Sequence, residues 1–398
     1  MLSRIRNSYN HTIYASFTSF IVQAIINNFL PLLFITFQSK YNISFDRIVV
    51  LISFNFITQL LVDILAIKLA DKIGYRICIV AAHIFAGVGL ISLAVLPGLF
   101  SDPLIGLIIS VMLYAVGGGL IEVIASPIVE ACPTDNKEGA MSLLHSFYCW
   151  GQAGVVLFST LFFVIFGIDH WRYVALIWAM IPLANAIYFS LVPINTLHGD
   201  EEPIKVRKFA GNRIFWLMIL LMFCAGACEL SISQWASAFA EAGLGVTKTI
   251  GDLAGPCTFA VLMGISRVFF AKHSEKLDLK NYMLICAGLC LISYLLASLS
   301  TSPIIGLLGC ALCGFAVGIM WPGTYSLSAA GIKGGSTSMF ALLALAGDLG
   351  CFAGPSVVGA VTGAAGGNMK MGILTAAIFP VIMIIGLFIF KSALRKQA

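Results

Sequence analysis

Twelve apolar segments, six on either side of one charged loop, constrain this chain more than any other feature. By sequence they run over about 11–37, 46–70, 77–99, 103–130, 139–167 and 171–193, then 212–241, 250–271, 279–300, 303–330, 336–364 and 369–392. Each has the length a helix needs to cross a bilayer, about 20 residues. Lipid offers backbone amides no partners, so such runs must satisfy their polar groups internally, as helices do. The composition agrees: 60% of the 398 residues are hydrophobic and only 10% are charged. The expected fold class is therefore an all-α integral membrane protein with twelve transmembrane helices in two pseudosymmetric six-helix bundles. The expected division is an N-terminal bundle over 1–193, a linker over 194–211 and a C-terminal bundle over 212–398.

Charge placement sets the expected topology. Even-numbered crossings put both termini and the central loop on one side. Seventeen of the 23 Lys and Arg residues fall there, including Lys68, Lys72, Arg76, Lys205, Arg207 and Lys208, against five on the other side. The positive-inside rule then makes both termini cytoplasmic. The net charge of +5 reflects topology and calls for no nucleic acid. The first apolar run is too long for a cleaved signal, and the short loops point to a multi-pass protein of a bacterial plasma (inner) membrane. The eleven cysteines are read as small apolar filler, and no metal-ligand spacing with His is present. No nucleophile–base set appears, so an enzyme is not expected.

Five ionisable residues lie inside the apolar runs: Asp63, Glu122, Glu229, Arg267 and Asp348. A charge at a helix centre costs about 2.5–3.5 kcal/mol or more, so each is a functional candidate. Glu122 follows Gly117-Gly118-Gly119, which leaves room for a ligand or a close helix. Glu229 shares a helix face with Ser233, and Gln234 and Trp235 adjoin it. His145, Tyr148 and Gln152 form an i, i+3, i+7 stripe on span 5. Asn27 and Asn28 precede Pro31 in span 1, and Trp321 precedes Pro322 in span 10. Glu122, Glu229 and Asp348 are the candidate proton-coupling residues. Asn27, Asn28, Glu122, His145, Tyr148, Gln152, Glu229, Gln234, Trp235 and Trp321 are the candidate substrate contacts.

The halves also repeat. With an offset of 204 residues, Asp63 meets Arg267, Asp71 meets Glu275, Lys72 meets Lys276 and Arg76 meets Lys280. Gly151-Gln152-Ala153-Gly154 in span 5 matches Gly347-Asp348-Leu349-Gly350 in span 11. Weak internal symmetry of this kind marks transporters built from related halves, with the site near the midplane.

The loop Asp71-Lys72-Ile73-Gly74-Tyr75-Arg76 resembles the D-(R/K)-x-G-x-(R/K) signature of the major facilitator superfamily, with Ile67 where the family places Gly. The resemblance covers essentially the whole chain. It implies that Asp71 caps span 11 and that the basic residues pair with an acid at the end of span 4, where Glu130 stands. Asp71, Arg76 and Glu130 are accordingly the expected gate, and Asp63 and Arg267, at equivalent places in the two halves, are read from their positions as gating residues too. Within the superfamily, Gly118-Gly119-Leu120-Ile121-Glu122 with Ser126-Pro127, Leu144 to Phe147, and Glu229 to Trp235 resemble segments of the fucose permease-like sugar:proton symporters. That likeness implies coupling and sugar contact at Glu122. Asn27 replaces the acid of the fucose members, and an amide carries no proton.

The expected function is alternating-access transport of a small polar solute, most simply a carbohydrate, by proton symport. No cofactor beyond the proton gradient is implied, sodium coupling stays open, and a monomer is expected. The alternative is a proton-driven exporter (antiporter) of drugs or other solutes, with Glu122 and Asp348 in a large apolar cavity.

Overall fold

The computed structural model describes residues 2–133, 137–195, 211–273, 277–332 and 337–395. Every regular element among them is helical. Twelve helices are long and apolar enough to cross a membrane. Chain contacts separate two compact units, one of Met1–Ile43 and Val50–Gly199, the other of Ser44–Val49 and Asp200–Ala398. Of the linker read at 194–211, only 194, 195 and 211 are described.

In the first unit, spans 1 to 6 are Tyr9–Tyr41, Phe45–Ala66, Tyr75–Gly98, Pro103–Glu130, Leu143–Phe166 and Ile168–Leu191, the first residues of span 2 grouping with the second unit. Span 1 packs on span 5, and span 3 on spans 4 and 6. In the second, spans 7 to 12 are Arg213–Ser233, Lys248–Phe270, Leu279–Leu299, Pro303–Ala329, Leu342–Ala364 and Met369–Ala393. There span 7 packs on span 11, and span 9 on spans 10 and 12. Within each unit the pairings are therefore first with fifth, third with fourth, and third with sixth. The sequence repeat has a counterpart in how each unit packs.

Helix ends follow local chemistry. The Asp102 carboxylate accepts from the Leu104 N–H ahead of Pro103, Asn212 from Ile214 and Phe215, and Asp278 from Lys280 and Asn281. Between spans 2 and 3 the chain turns at Gly74 with φ +95°, a conformation that side chains with a Cβ rarely adopt.

Of the spans read from sequence as continuous, span 8 widens into a π-helix over Leu253–Cys257, span 12 turns at Ala377, and three more are interrupted near residues singled out from the sequence. Span 1 stops at Asn28 and continues as a tight turn of 3-10 helix over Leu30–Leu33, which contains Pro31. Span 7 breaks at Gln234–Trp235, resumes over Ala236–Ala238 and widens into a π-helix at Phe239–Gly243. Span 10 breaks at Gly318–Ile319, just before Trp321-Pro322. Irregular backbone at membrane depth survives only inside protein or along a water-filled cavity. The interruptions of spans 1, 7 and 10 fall beside candidate residues named from the sequence.

Candidate functional site

In the first unit the polar side chains of spans 1, 2 and 4 join into one chain of hydrogen bonds. Gln23 Nε2 donates to Glu122 Oε2 at 3.2 Å and to Gln59 Oε1 at 2.9 Å. Gln59 Nε2 donates to Asn27 Oδ1 at 2.9 Å, and Asn55 Nδ2 donates to the same oxygen at 3.1 Å. Gln23, Asn27, Asn55 and Gln59 are each at least 93% buried. Glu122 keeps exposed surface although protein surrounds it closely. A chain of neutral amides thus ends on a single carboxyl that solvent reaches.

Glycines make room for this arrangement. A Cβ at Gly118 would lie 3.0 Å from the Gln59 carboxamide and 3.2 Å from Gln23 Oε1, and one at Gly119 would lie 2.9 Å from an Asp63 oxygen. The glycine run before Glu122 admits spans 1 and 2 to the face of span 4. Two buried acceptors, Gln23 Oε1 and Asn55 Oδ1, have no hydrogen-bond partner among the described residues. Leaving such a group unmatched costs about 1–3 kcal/mol, which favours a ligand or water that donates to it.

The stripe predicted on span 5 is divided. Tyr148 accepts from Asn28 Nδ2 at 3.4 Å through its hydroxyl, and Asn28 also donates to Ala24 O at 2.9 Å. Gln152 is 1% exposed, whereas His145 is exposed with its ring edge-on to Phe20. His83, on span 3, is fully buried. Its Nδ1 meets Ile79 O at 2.7 Å, and its Nε2 meets Asn185 Nδ2 at 2.8 Å and Ser19 Oγ at 3.2 Å. It ties spans 1, 3 and 6 together as a structural clamp.

In the second unit Glu229 and Ser233 are buried on one face of span 7, and the charge of Arg267 acts on Glu229. Trp321 is half-buried with its ring against Gly347, next to the half-buried Asp348. Trp235, named as a candidate substrate contact, is enclosed by protein in this structure. Its ring is fully buried against Gly359, and its indole N–H donates to Pro355 O at 2.9 Å. The helix break at Gln234–Trp235 turns the indole into the span 7–span 11 contact, which the helical spacing alone does not reveal. Gln234 is 4% exposed at the same break.

The family model described as Major Facilitator Superfamily matches residues 13–355. The chain belongs to the major facilitator superfamily. No curated protein sequence matches it significantly. Among solved structures, a bacterial homolog of the human lysosomal transporter Spinster superimposes with a TM-score of 0.76 at 15% identity, covering 96% of this chain and 97% of that one. The E. coli fucose:proton symporter gives 0.65 at 18% identity, over 96% and 99%. A D-xylose-proton symporter gives 0.76 at 13% identity, over 96% and 97%. At these identities the likeness establishes the fold.

The superfamily's signature loop places its residues unevenly. Gly74 makes the turn, and Arg76 Nη1 donates to Phe189 O at 2.9 Å and Ser190 O at 3.1 Å, serving carbonyls at the end of span 6. Glu130 is the half-buried last residue of span 4, and Asp63 is 3% exposed. The Asp71 side chain lies outside the described residues, as do Glu275 and Lys276 of the repeat.

Sequence reading missed Gln23, Asn55 and Gln59. Their signal was spacing: Gln23 and Asn27 in span 1, and Asn55, Gln59 and Asp63 in span 2, recur every four residues and so share a helix face. It also missed a partly buried charge cluster between spans 7 and 8. Lys248 Nζ lies 3.3 Å from Glu241 and 3.0 Å from Asp252, and Ser237 Oγ donates to Asp252 at 2.5 Å. Burial pushes the Glu241 carboxyl above its ordinary range, with the Lys248 ammonium opposing and Asp252 adding to the rise. One C-x-x-C pair exists, Cys310 and Cys313, both buried within span 10.

Proposed function

We propose that this protein is a secondary active transporter that moves a small polar solute, a sugar being the favoured class, by proton symport with alternating access. The observation that carries the reading is the amide chain ending on Glu122. A single carboxyl that solvent reaches, hydrogen-bonded to neutral groups, has the composition of a proton site beside an uncharged solute. The open oxygens of Gln23 and Asn55 call for donors, and sugar hydroxyls supply them without bringing a charge into the membrane. The folds of a fucose:proton symporter and a D-xylose-proton symporter support the same class.

In this reading Glu122 carries the proton. Asn27, Asn28, Tyr148, Gln152 and His145 contact the solute from the first unit, and Glu229, Gln234 and Trp321 from the second. Asp348 is a second proton candidate. Asp63, Asp71, Arg76, Glu130 and Arg267 act in gating. The protein sits in a bacterial plasma membrane as a monomer with both termini cytoplasmic, as its charge bias favours.

The test uses proteoliposomes holding a pH-sensitive dye, challenged with a sugar panel and a panel of lipophilic cations. Lumen acidification on adding one sugar is the expected result. Proton flux driven only by lipophilic cations and opposite to their movement replaces symport with export.

A further inference from the structure

We propose that Gln23, Gln59, Asn27 and Asn55 form an orientable relay whose hydrogen-bond polarity is set by the protonation state of Glu122. The inference rests on the reading of Glu122 as the proton site. It concerns how that proton is sensed two helices away.

A carboxylate only accepts hydrogen bonds, whereas a carboxamide has a donor end and an acceptor end. An ionised Glu122 therefore turns the Gln23 NH2 toward itself. The second N–H of that group reaches Gln59 Oε1, so the Gln59 NH2 points at Asn27 Oδ1. The Asn55 NH2 points at the same oxygen. The four amides are all aligned by one charge, and the atoms left over are both oxygens, Gln23 Oε1 and Asn55 Oδ1.

Adding a proton to Glu122 creates an O–H that must donate. Gln23 presents an acceptor to it when its carboxamide turns over. Gln59 then has to turn its NH2 toward Gln23 and its oxygen toward Asn27. Asn27 follows, its NH2 donating to Gln59 and Asn55. The number of bonds along the chain is kept and their direction is reversed. The leftover groups become N–H donors on Gln23 and Asn55. One proton is gained, at a Glu122 oxygen, and none leaves an amide nitrogen. Such chains polarise one another, so a half-turned relay is disfavoured and the switch is close to two-state.

Glycine at 118 is what leaves the amides room to turn, since a Cβ there would sit 3.0 Å from the Gln59 carboxamide. The groups facing Glu122 from span 1 are uncharged. Span 2 contributes Asp63, beside Gly119, while on span 5 the His145 ring meets Phe20 and the Tyr148 hydroxyl meets Asn28. His83 of span 3 is held by Ile79, Asn185 and Ser19, and Tyr114 and Glu130 lie two turns or more away along span 4 itself.

The experiment is infrared difference spectroscopy against pH on the full-length protein in lipid nanodiscs, with asparagine side chains carbon-13 labelled. It needs no solute. The expected result is a carboxyl band that is lost in Glu122→Gln, accompanied by shifts of labelled asparagine carboxamide bands over the same pH range. In Gln59→Leu the Glu122 band should persist while the asparagine shifts are lost. Gly118→Ala, which keeps every donor and acceptor, should lose them too and guards against a misfolded Gln59 variant. Asparagine bands that stay still while Glu122 titrates overturn the relay and leave the proton site standing. So do asparagine shifts that survive unchanged in both variants. No Glu122 band at any pH overturns the proton-site reading and the relay together.

Discussion

In the first unit the buried polarity is a chain of four neutral carboxamides ending on one acid, while in the second it is an acid in the field of an arginine, beside an indole locked to a backbone carbonyl. In the relay proposed above, the first system can switch. It has open acceptors and a carboxyl that accepts from a neutral amide. The second sets an arginine's charge near its acid, so neutralising Glu229 would leave the Arg267 charge less compensated in a low-dielectric setting. The two units share their helix pairings, so this contrast comes from side chains and not from the fold. On the proposed function, Glu122 of the first unit is the main proton site, and the second unit supplies solute contacts and the second candidate, Asp348.

The largest effect separating the two is expected at the acids. Glu122→Gln should abolish gradient-driven solute accumulation in proteoliposomes while sparing solute exchange. Glu229→Gln should weaken solute binding and keep the coupling between solute and proton flux. Equal loss of accumulation in both variants would break the contrast and make coupling a property of both units.

Next in size is the aromatic clamp. Trp235→Ala removes a fully buried ring from between spans 7 and 11 and should cost about 3–5 kcal/mol, seen as a fall in thermal unfolding temperature. Trp235→Phe keeps the bulk but loses the bond to Pro355, for about 0.5–1.5 kcal/mol, with the transport KM little changed. A large rise in KM with unchanged stability would return Trp235 to the solute site. In the first unit Gln59→Leu leaves Gln23 and Asn27 short of partners. It should lower stability by about 1–3 kcal/mol, measured in the same way.

Much of this architecture was legible because lipid enforces it. Twelve apolar runs can be little else than twelve helices, and Glu122 stood out because charge inside such a run is costly. Asn27 was named from its place before Pro31, yet its partners were not, since Gln and Asn in an apolar run carry no charge to draw the eye. Their recurrence every four residues in spans 1 and 2 was the available signal. The packing of Trp235 was hidden for a different reason. Its helical face was assigned on a continuous helix, and the break at Gln234–Trp235 rotates the ring into the interhelix contact. The Glu241–Lys248–Asp252 cluster escaped because two of its members fall at the ends of apolar runs, where charges are ordinary.

That cluster gives the smallest expected effect, and it tests whether the second unit's charges are balanced in the way the contrast requires. Glu241 binds its proton more tightly folded than unfolded, because burial disfavours its charge more than Lys248 restores it. Folding therefore gains from protonation: stability contributed by Glu241 is full below the ordinary carboxylate range and falls as pH rises through its raised value. Glu241→Gln removes that titration. The thermal unfolding temperature of the variant should vary less than the wild type's between mildly acidic and neutral pH, with the difference largest at the neutral end. Lys248→Met should act in the opposite sense, steepening the loss above the carboxylate range, because Glu241 and the fully buried Asp252 then lose their shared cation. If Lys248→Met and Glu241→Gln flatten the curve alike, the ammonium is not the group that balances these acids. The second unit would then hold a titrating site of its own, comparable to Glu122 in the first.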